Sequence, residues 1–214
     1  MYLPKHFEVT RFEAIKEFVT RSNVVDLVTV NEEGQPLSSL LPCLWDTSSL
    51  SEGSYGTLIM HMARLNDQWK SIKEGTLGLA IAHGFDAYIS PTNYIAKQTN
   101  HRVVPTWNYQ SVHLSGTVEV SHDVEEIYRI VSGLTKFHEA DRDEPWSIED
   151  ADPKYLEGQL KAIVAVTLRV NHVEAKDKLS QNRPVEDQRN IIADLLLSEN
   201  TSAREVATEM QKRI

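Results

Sequence analysis

The chain has 214 residues, 41% of them apolar and 25% charged, which suits one generous globular domain or a domain with a small appendage. No apolar run approaches the roughly 18 residues that span a membrane, and the opening MYLPKHFEVTRFEAIKEF lacks the apolar core of a signal peptide. One cysteine, Cys43, leaves no intramolecular disulfide and no multi-thiolate metal site and points to a reducing cytoplasm, while a net charge of −9 without a dense Lys/Arg cluster weighs against nucleic acid.

The first predicted element is a helix over 11–21, with Phe12, Ile15, Phe18 and Val19 on one stripe. Thr10 is its expected N-cap, and Glu13 completes a capping box. VVDLVTV and QPLSSLLPCLWD then flank Asn31–Gly34 as a β-hairpin. A polar loop, TSSLSEGSYG, leads to the strand TLIMHM and a short helix over 66–73 capped by Asn66. Strands are expected near 76–83 and 86–90, then a long loop over 91–105. WNYQSVHLSGTVEV, 107–120, alternates as a strand, and Asp123 caps a helix to about residue 139. An acidic stretch over 140–152 reads as a solvated loop. PKYLEGQ is a short helix, KAIVAVTLRV a strand, and two helices over 185–197 and 202–213 end the chain. About six strands with inserted helices and no regular βαβ alternation predict an α+β fold. Neither GxGxxG nor GxxxxGK[ST] occurs, so any nucleotide must be held by side chains.

Three constellations carry chemistry. In HMARLNDQW, His61, Arg64, Asn66, Gln68 and Trp69 crowd a strand-to-helix junction. Unsatisfied N–H groups at a helix start and a guanidinium fork suit a phosphate; a capped surface turn is the alternative. In PTWNYQSVH, Trp107, Asn108, Tyr109 and Gln110 offer an aromatic face and amide edges to a flat ring, or else they fill the end of a barrel. In KLSQNRP, Ser180, Gln181, Asn182 and Arg183 follow Lys178 and precede Pro184. That run either meets a ligand or approaches a helix whose first turn takes the proline. The scattered histidines show no metal-binding spacing, so no metal is expected. No catalytic residue stands out.

These motifs, together with MYLPKHFEVT, AYISPTNY and LKAIVAV, resemble the PaiB-like FMN-binding negative transcriptional regulators over about residues 1–190. The resemblance implies a split β-barrel of the pyridoxamine-phosphate oxidase type over 1–183, with peripheral helices and a C-terminal helical extension over 184–214. It implies a homodimer with FMN between two protomers, the phosphate near His61–Trp69, and ring contacts from the TWNY and SQNR segments. It also implies negative transcriptional regulation; a flavin-dependent oxidoreductase and a dimer that has lost its flavin are the alternatives. Direct DNA binding is not expected. Residues 183–214 carry five basic and six acidic side chains, and Glu205 and Glu209 stand four apart on the last helix.

Overall fold

A computed structural model describes residues 1–48, 50–99 and 101–214. Ser49 and Asn100, in the two expected loops, lie outside the described residues. Seven strands form one sheet: β1 (Val24–Val30), β2 (Pro36–Pro42), β3 (Leu44–Asp46), β4 (Thr57–Ala63), β5 (Leu77–Ile89), β6 (Thr106–Ser121) and β7 (Ile163–Lys178). Their order is β2-β1-β5-β6-β7-β4-β3. Six helices accompany them: α1 (Phe12–Ser22), α2 (Ala96–Thr99), α3 (Val124–Glu139), α4 (Pro153–Lys161), α5 (Val185–Leu196) and α6 (Thr201–Gln211).

The chain divides into two compact units, one of Met1–Ile15, His83–Val112 and Glu174–Ile214, the other of Lys16–Ala82 and His113–Val173. In the second unit β1 and β2 form the expected hairpin, with Val24 opposite Pro42 and Val30 opposite Pro36. Gly34 turns it at φ +79°, a backbone region that other residues seldom adopt. The β4 strand pairs antiparallel with β7, setting His61 opposite Ala165. Its alternate residues Leu58, Met60 and Met62 are buried, as period-two patterning requires. Helix α3 lays Ile127, Ile130 and Leu134 against Leu160 and Ala165.

In the first unit α5 and α6 are core elements. Ile191, Ile192, Leu195, Ala203, Val206, Ala207 and Met210 pack with Ala87, Ile89, Tyr94 and Leu179. Fully burying one such side chain contributes about 1.5–3 kcal/mol, so these two helices are held by their apolar faces.

Three expectations change. The strands near 76–83 and 86–90 are one strand, β5. Its buried positions are Gly78, Ala80 and Ala82, then Ala87 and Ile89, so the inward face changes parity where the chain passes from one unit to the other. That break in alternation reads as an end in the sequence. β7 likewise outruns Val170: after the buried Val164, Ala165, Val166, Leu168 and Val170 come four positions that are not buried, and burial resumes at Ala175 and Lys176. The first helix starts at Phe12, and Ile15 N–H bonds the Arg11 carbonyl. Arg11 therefore takes the capping position expected of Thr10.

Close strand approach demands glycine at one point. A Cβ on Gly116 of β6 would lie 1.8 Å from the Arg169 carbonyl oxygen of β7. Gly158, exposed inside α4, has nothing within 4 Å. Gly116→Ala should cost about 1–3 kcal/mol, lowering the melting midpoint by roughly 2–12 °C. Gly158→Ala should raise stability by about 0.4–1 kcal/mol. Thermal and urea melts of the two variants check this ordering.

Candidate functional site

The strand–turn junction over 61–69 lies wholly in the second unit. Arg64 follows the end of β4, and its guanidinium is fixed by the protein itself. Nε donates to the Lys161 carbonyl at 2.8 Å, Nη2 to the Ile163 carbonyl at 3.0 Å, and Nη1 to His122 Nδ1 at 3.1 Å. Three of the five N–H groups of an arginine are thus used, and two remain. Trp69 closes the knot, donating its indole N–H to the Arg64 carbonyl at 2.9 Å and meeting the His122 ring edge-on at 5.2 Å.

The short helix expected over 66–73 is a 3₁₀ turn, Asp67–Ser71. Asn66 caps it, with Oδ1 accepting from Gln68 N–H at 3.0 Å. Asn66 Nδ2 donates to Ser39 Oγ at 2.8 Å, bringing β2 to the junction. Gln68 is buried, and its Nε2 reaches the Leu27 carbonyl at 2.9 Å, Thr29 Oγ1 at 3.1 Å and the Leu37 carbonyl at 3.3 Å. Two buried atoms here, His61 Nδ1 and Gln68 Oε1, have no partner among the described residues. Unsatisfied buried polar atoms call for an explanation, and an absent polar ligand is one. Burial also holds the His61 imidazole below its ordinary pKa, so it is neutral at pH 7.

The other two motifs come together in the first unit. Asn108, 0% exposed, donates from Nδ2 to Ser180 Oγ at 3.0 Å. The Ser180 hydroxyl returns a bond to Asn108 Oδ1 at 3.1 Å. Trp107 is 50% exposed, its indole N–H donated to Asp86 Oδ1 at 2.8 Å and its ring 6.1 Å from that of Tyr88 in an edge-on arrangement. The Tyr109 ring lies 5.2 Å from Lys176 Nζ. Gln110 donates to Asp177 Oδ1 at 3.0 Å, while its own Oε1 has no partner among the described residues. Gln181 clamps its own chain, accepting from Leu179 N–H at 2.7 Å. Asn182 is exposed, and the Arg183 guanidinium sits 4.5 Å from the centre of the Tyr94 ring.

The structure therefore joins 107–110 with 180–183 and sets 61–69 in the other unit. Sequence reasoning missed His122 and Asp86, whose partners lie 58 and 21 residues away, and reached Ser39 without its partner Asn66, 27 residues on. Only Ser39 carried a signal, as a polar residue on a strand. The donor set fits FMN: guanidinium N–H groups and amides for a dianion, a half-exposed indole for the ring, and unpaired buried polar atoms. Among the described residues there is no cluster of three or more His, Cys, Asp or Glu able to hold a metal, and no helix is long and apolar enough to cross a membrane.

The family described as "Putative FMN-binding domain" matches residues 1–172. The protein named protease synthase and sporulation protein PAI 2, from Bacillus subtilis (strain 168), is 34% identical over 214 residues, covering 100% of this chain and 98% of that protein. An uncharacterized protein of Saccharomyces cerevisiae is 27% identical over 161 residues, covering 67% of this chain and 94% of that one. Among solved structures, a conserved hypothetical protein from Mycobacterium tuberculosis superposes with a TM-score of 0.58 at 12% identity, over 86% of this chain and 94% of that one. The FAD and heme binding protein from Mycobacterium smegmatis gives 0.57 at 16% identity, over 84% and 78%. At such identities the structures show the shared fold alone, the α+β split barrel.

The neutral His61 has a measurable consequence. The unfolded chain takes up a proton near pH 6.5, the ordinary histidine value, which the folded chain refuses. This group therefore costs stability as the pH falls below about 6.5. Urea melts at stepped pH should show a shallower acid-side loss for His61→Asn than for the unsubstituted protein. Parallel profiles would mean that this imidazole titrates normally.

Proposed function

Because the chain belongs to the "Putative FMN-binding domain" family, and is an FMN-binding protein like PaiB, we propose that it is a cytoplasmic homodimer that regulates through the state of its flavin rather than through direct DNA contact. The observation that carries the flavin reading is the preorganised Arg64. Its guanidinium is held by two carbonyls and an imidazole, and two of its five N–H groups have no partner among the described residues. A phosphate oxygen pair there would complete the fork without further ordering of the side chain. His61, Gln68 and Trp69 support the same junction.

Trp107, Tyr109, Gln110 and the segment Ser180–Arg183 serve the ring end of the flavin. The half-exposed indole of Trp107 stacks, the free Gln110 carbonyl accepts, and Asn108 holds Ser180 in place from beneath. FMN, when bound, supplies one- and two-electron redox chemistry. This chain's residues bind it, orient it and keep an imidazole neutral near it. The two motif groups belong to different compact units, and a second copy of the chain, facing the first, is the arrangement proposed to complete the cradle.

Several observations support regulation without direct DNA reading. The net charge of −9 repels phosphates within roughly 8 Å, a Debye length at physiological salt. Helices α5 and α6 commit their apolar faces to the core. Glu209, expected on an outer face with Glu205, is 6% exposed and pairs with Lys212 at 2.8 Å and Arg213 at 3.2 Å. Those cations are thereby neutralised, and no concentrated basic face is available for duplex phosphates. The relative's name refers to protease synthesis and sporulation, both controlled processes. For the compartment, the buried Cys43 thiol is pushed up to about 12 by burial, in keeping with a structural, reduced cysteine.

Two measurements test this reading. Arg64→Ala should weaken FMN about 10- to 100-fold, the size of one or two charge-assisted hydrogen bonds, and riboflavin much less, because only FMN bears the phosphate. Equal losses for both flavins would move the phosphate elsewhere. Sedimentation equilibrium at micromolar concentration should give twice the chain mass of 24.3 kDa. A single species at the chain mass would exclude the dimer.

A further inference from the structure

The end of β7 concentrates positive charge that has no ion-pair partner among the described residues. Lys176, Lys178 and Arg183 lie within eight residues of an acidic chain. Neither Lys178 nor Arg183 makes an ion pair with any described residue. Lys178 Nζ donates to Thr106 Oγ1 at 2.5 Å and to the Trp107 carbonyl, and Arg183 rests on the Tyr94 ring. Asp177, between the lysines, spends its carboxylate elsewhere, on Gln110 and Arg213. Lys176 faces the Tyr2 carbonyl at 2.9 Å and two tyrosine rings.

Thr106, Asn108, Lys178, Ser180, Asn182 and Arg183 line a cavity of about 100 Å³ with Phe7. No carboxylate lines it. Its floor is built: Asn108 and Ser180 are 0% and 3% exposed and bonded to each other in both directions. Ser180 sits at φ +63°, the left-handed region that a non-glycine residue enters only at a cost. The Gln181 side chain braces that turn on the Asp177 carbonyl and the Leu179 N–H. Burial first, then the like charges of Lys176 and Arg183, press the Lys178 pKa down. An anion in the cavity would relieve the repulsion. The volume is a few water volumes of about 30 Å³ each, enough for a phosphate or carboxylate group. It falls below the roughly 300 Å³ at which small-molecule pockets begin, so the cavity by itself takes a small group rather than a whole ligand.

We propose that this cavity is an oxyanion site, made of different residues from the flavin-phosphate junction, which takes the phosphate or carboxylate group of a second small ligand. The proposal rests on the reading that places the flavin phosphate at Arg64. It names the ligand that meets the flavin's ring-end residues as anionic.

The test uses the full chain saturated with FMN and inorganic phosphate as the probe. Isothermal titration should show saturable millimolar binding, one phosphate per chain, that sodium chloride at equal ionic strength does not reproduce. Lys178→Gln should weaken phosphate at least tenfold, Lys178→Glu should abolish it, and both should keep the preference for FMN over riboflavin. In the unsubstituted protein, the Lys178 ammonium nitrogen resonance should move with phosphate and stay still with chloride, which serves if a variant folds poorly. Binding no stronger than chloride, or unaltered by both substitutions, overturns the proposal. If Lys178→Gln erases the FMN preference while Arg64→Ala keeps it, the cavity holds the flavin's own phosphate, and the second ligand and the Arg64 assignment both fall. If phosphate binds as expected but Arg64→Ala lowers FMN and riboflavin equally, the oxyanion site stands and only the junction is reassigned.

Discussion

A β-strand shows alternate side chains to opposite faces, and this protein asks three strands to serve two cores each. β5, β6 and β7 run 13, 16 and 16 residues and contribute to both compact units. A strict period of two would bury the same face throughout. β5 changes parity at the passage, between Ala82 and Ala87, and β7 loses its buried face after Val170 and regains burial at Ala175 and Lys176. β6 keeps its even positions buried and adds Ser111. Glycine at 116 then lets β6 approach the backbone of β7. The placement of the candidate-site residues follows from this arrangement: Lys178 and Ser180 are where they are because β7 continues past Val170.

The candidate site is rigid for reasons of hydrogen-bond accounting. Arg64, Gln68, Asn108 and Ser180 are each held by groups remote in sequence. Locking such side chains in advance removes the rotamer entropy that a ligand would otherwise have to overcome. The atoms left over are therefore informative. His61 Nδ1, Gln68 Oε1 and Gln110 Oε1 are buried and unpaired among the described residues, in residues whose other groups are engaged or packed.

Charge is distributed to the same end. The chain is acidic overall, yet Lys178 and Arg183 meet no carboxylate among the described residues, while Lys212 and Arg213, just past the end of α6, are tied to Glu209 and Asp177. Surface ion pairs contribute little to stability, about 0–1 kcal/mol. Their effect here is on where positive potential remains: at a small buried cavity, not on an open face.

Local patterning and motif chemistry settled much of this protein in the sequence alone. The hairpin around Gly34, the α3 stripe with its Asp123 cap, the Asn66 cap and the α+β class were all legible, because turns, caps and periodicity are set by residues within a few positions of one another. The FMN family was legible too, in HMARLNDQW, PTWNYQSVH and KLSQNRP. Other features depended on contacts between residues far apart in the chain. These were the continuity of β5, the burial of Glu209, the anchoring of Arg64 by His122, and the closure of Asn108 on Ser180 across 72 residues. No periodicity encodes such a pairing. Which donors are spent inside the protein, and which stay free for a ligand, is decided only when distant strands come into register and desolvate them together.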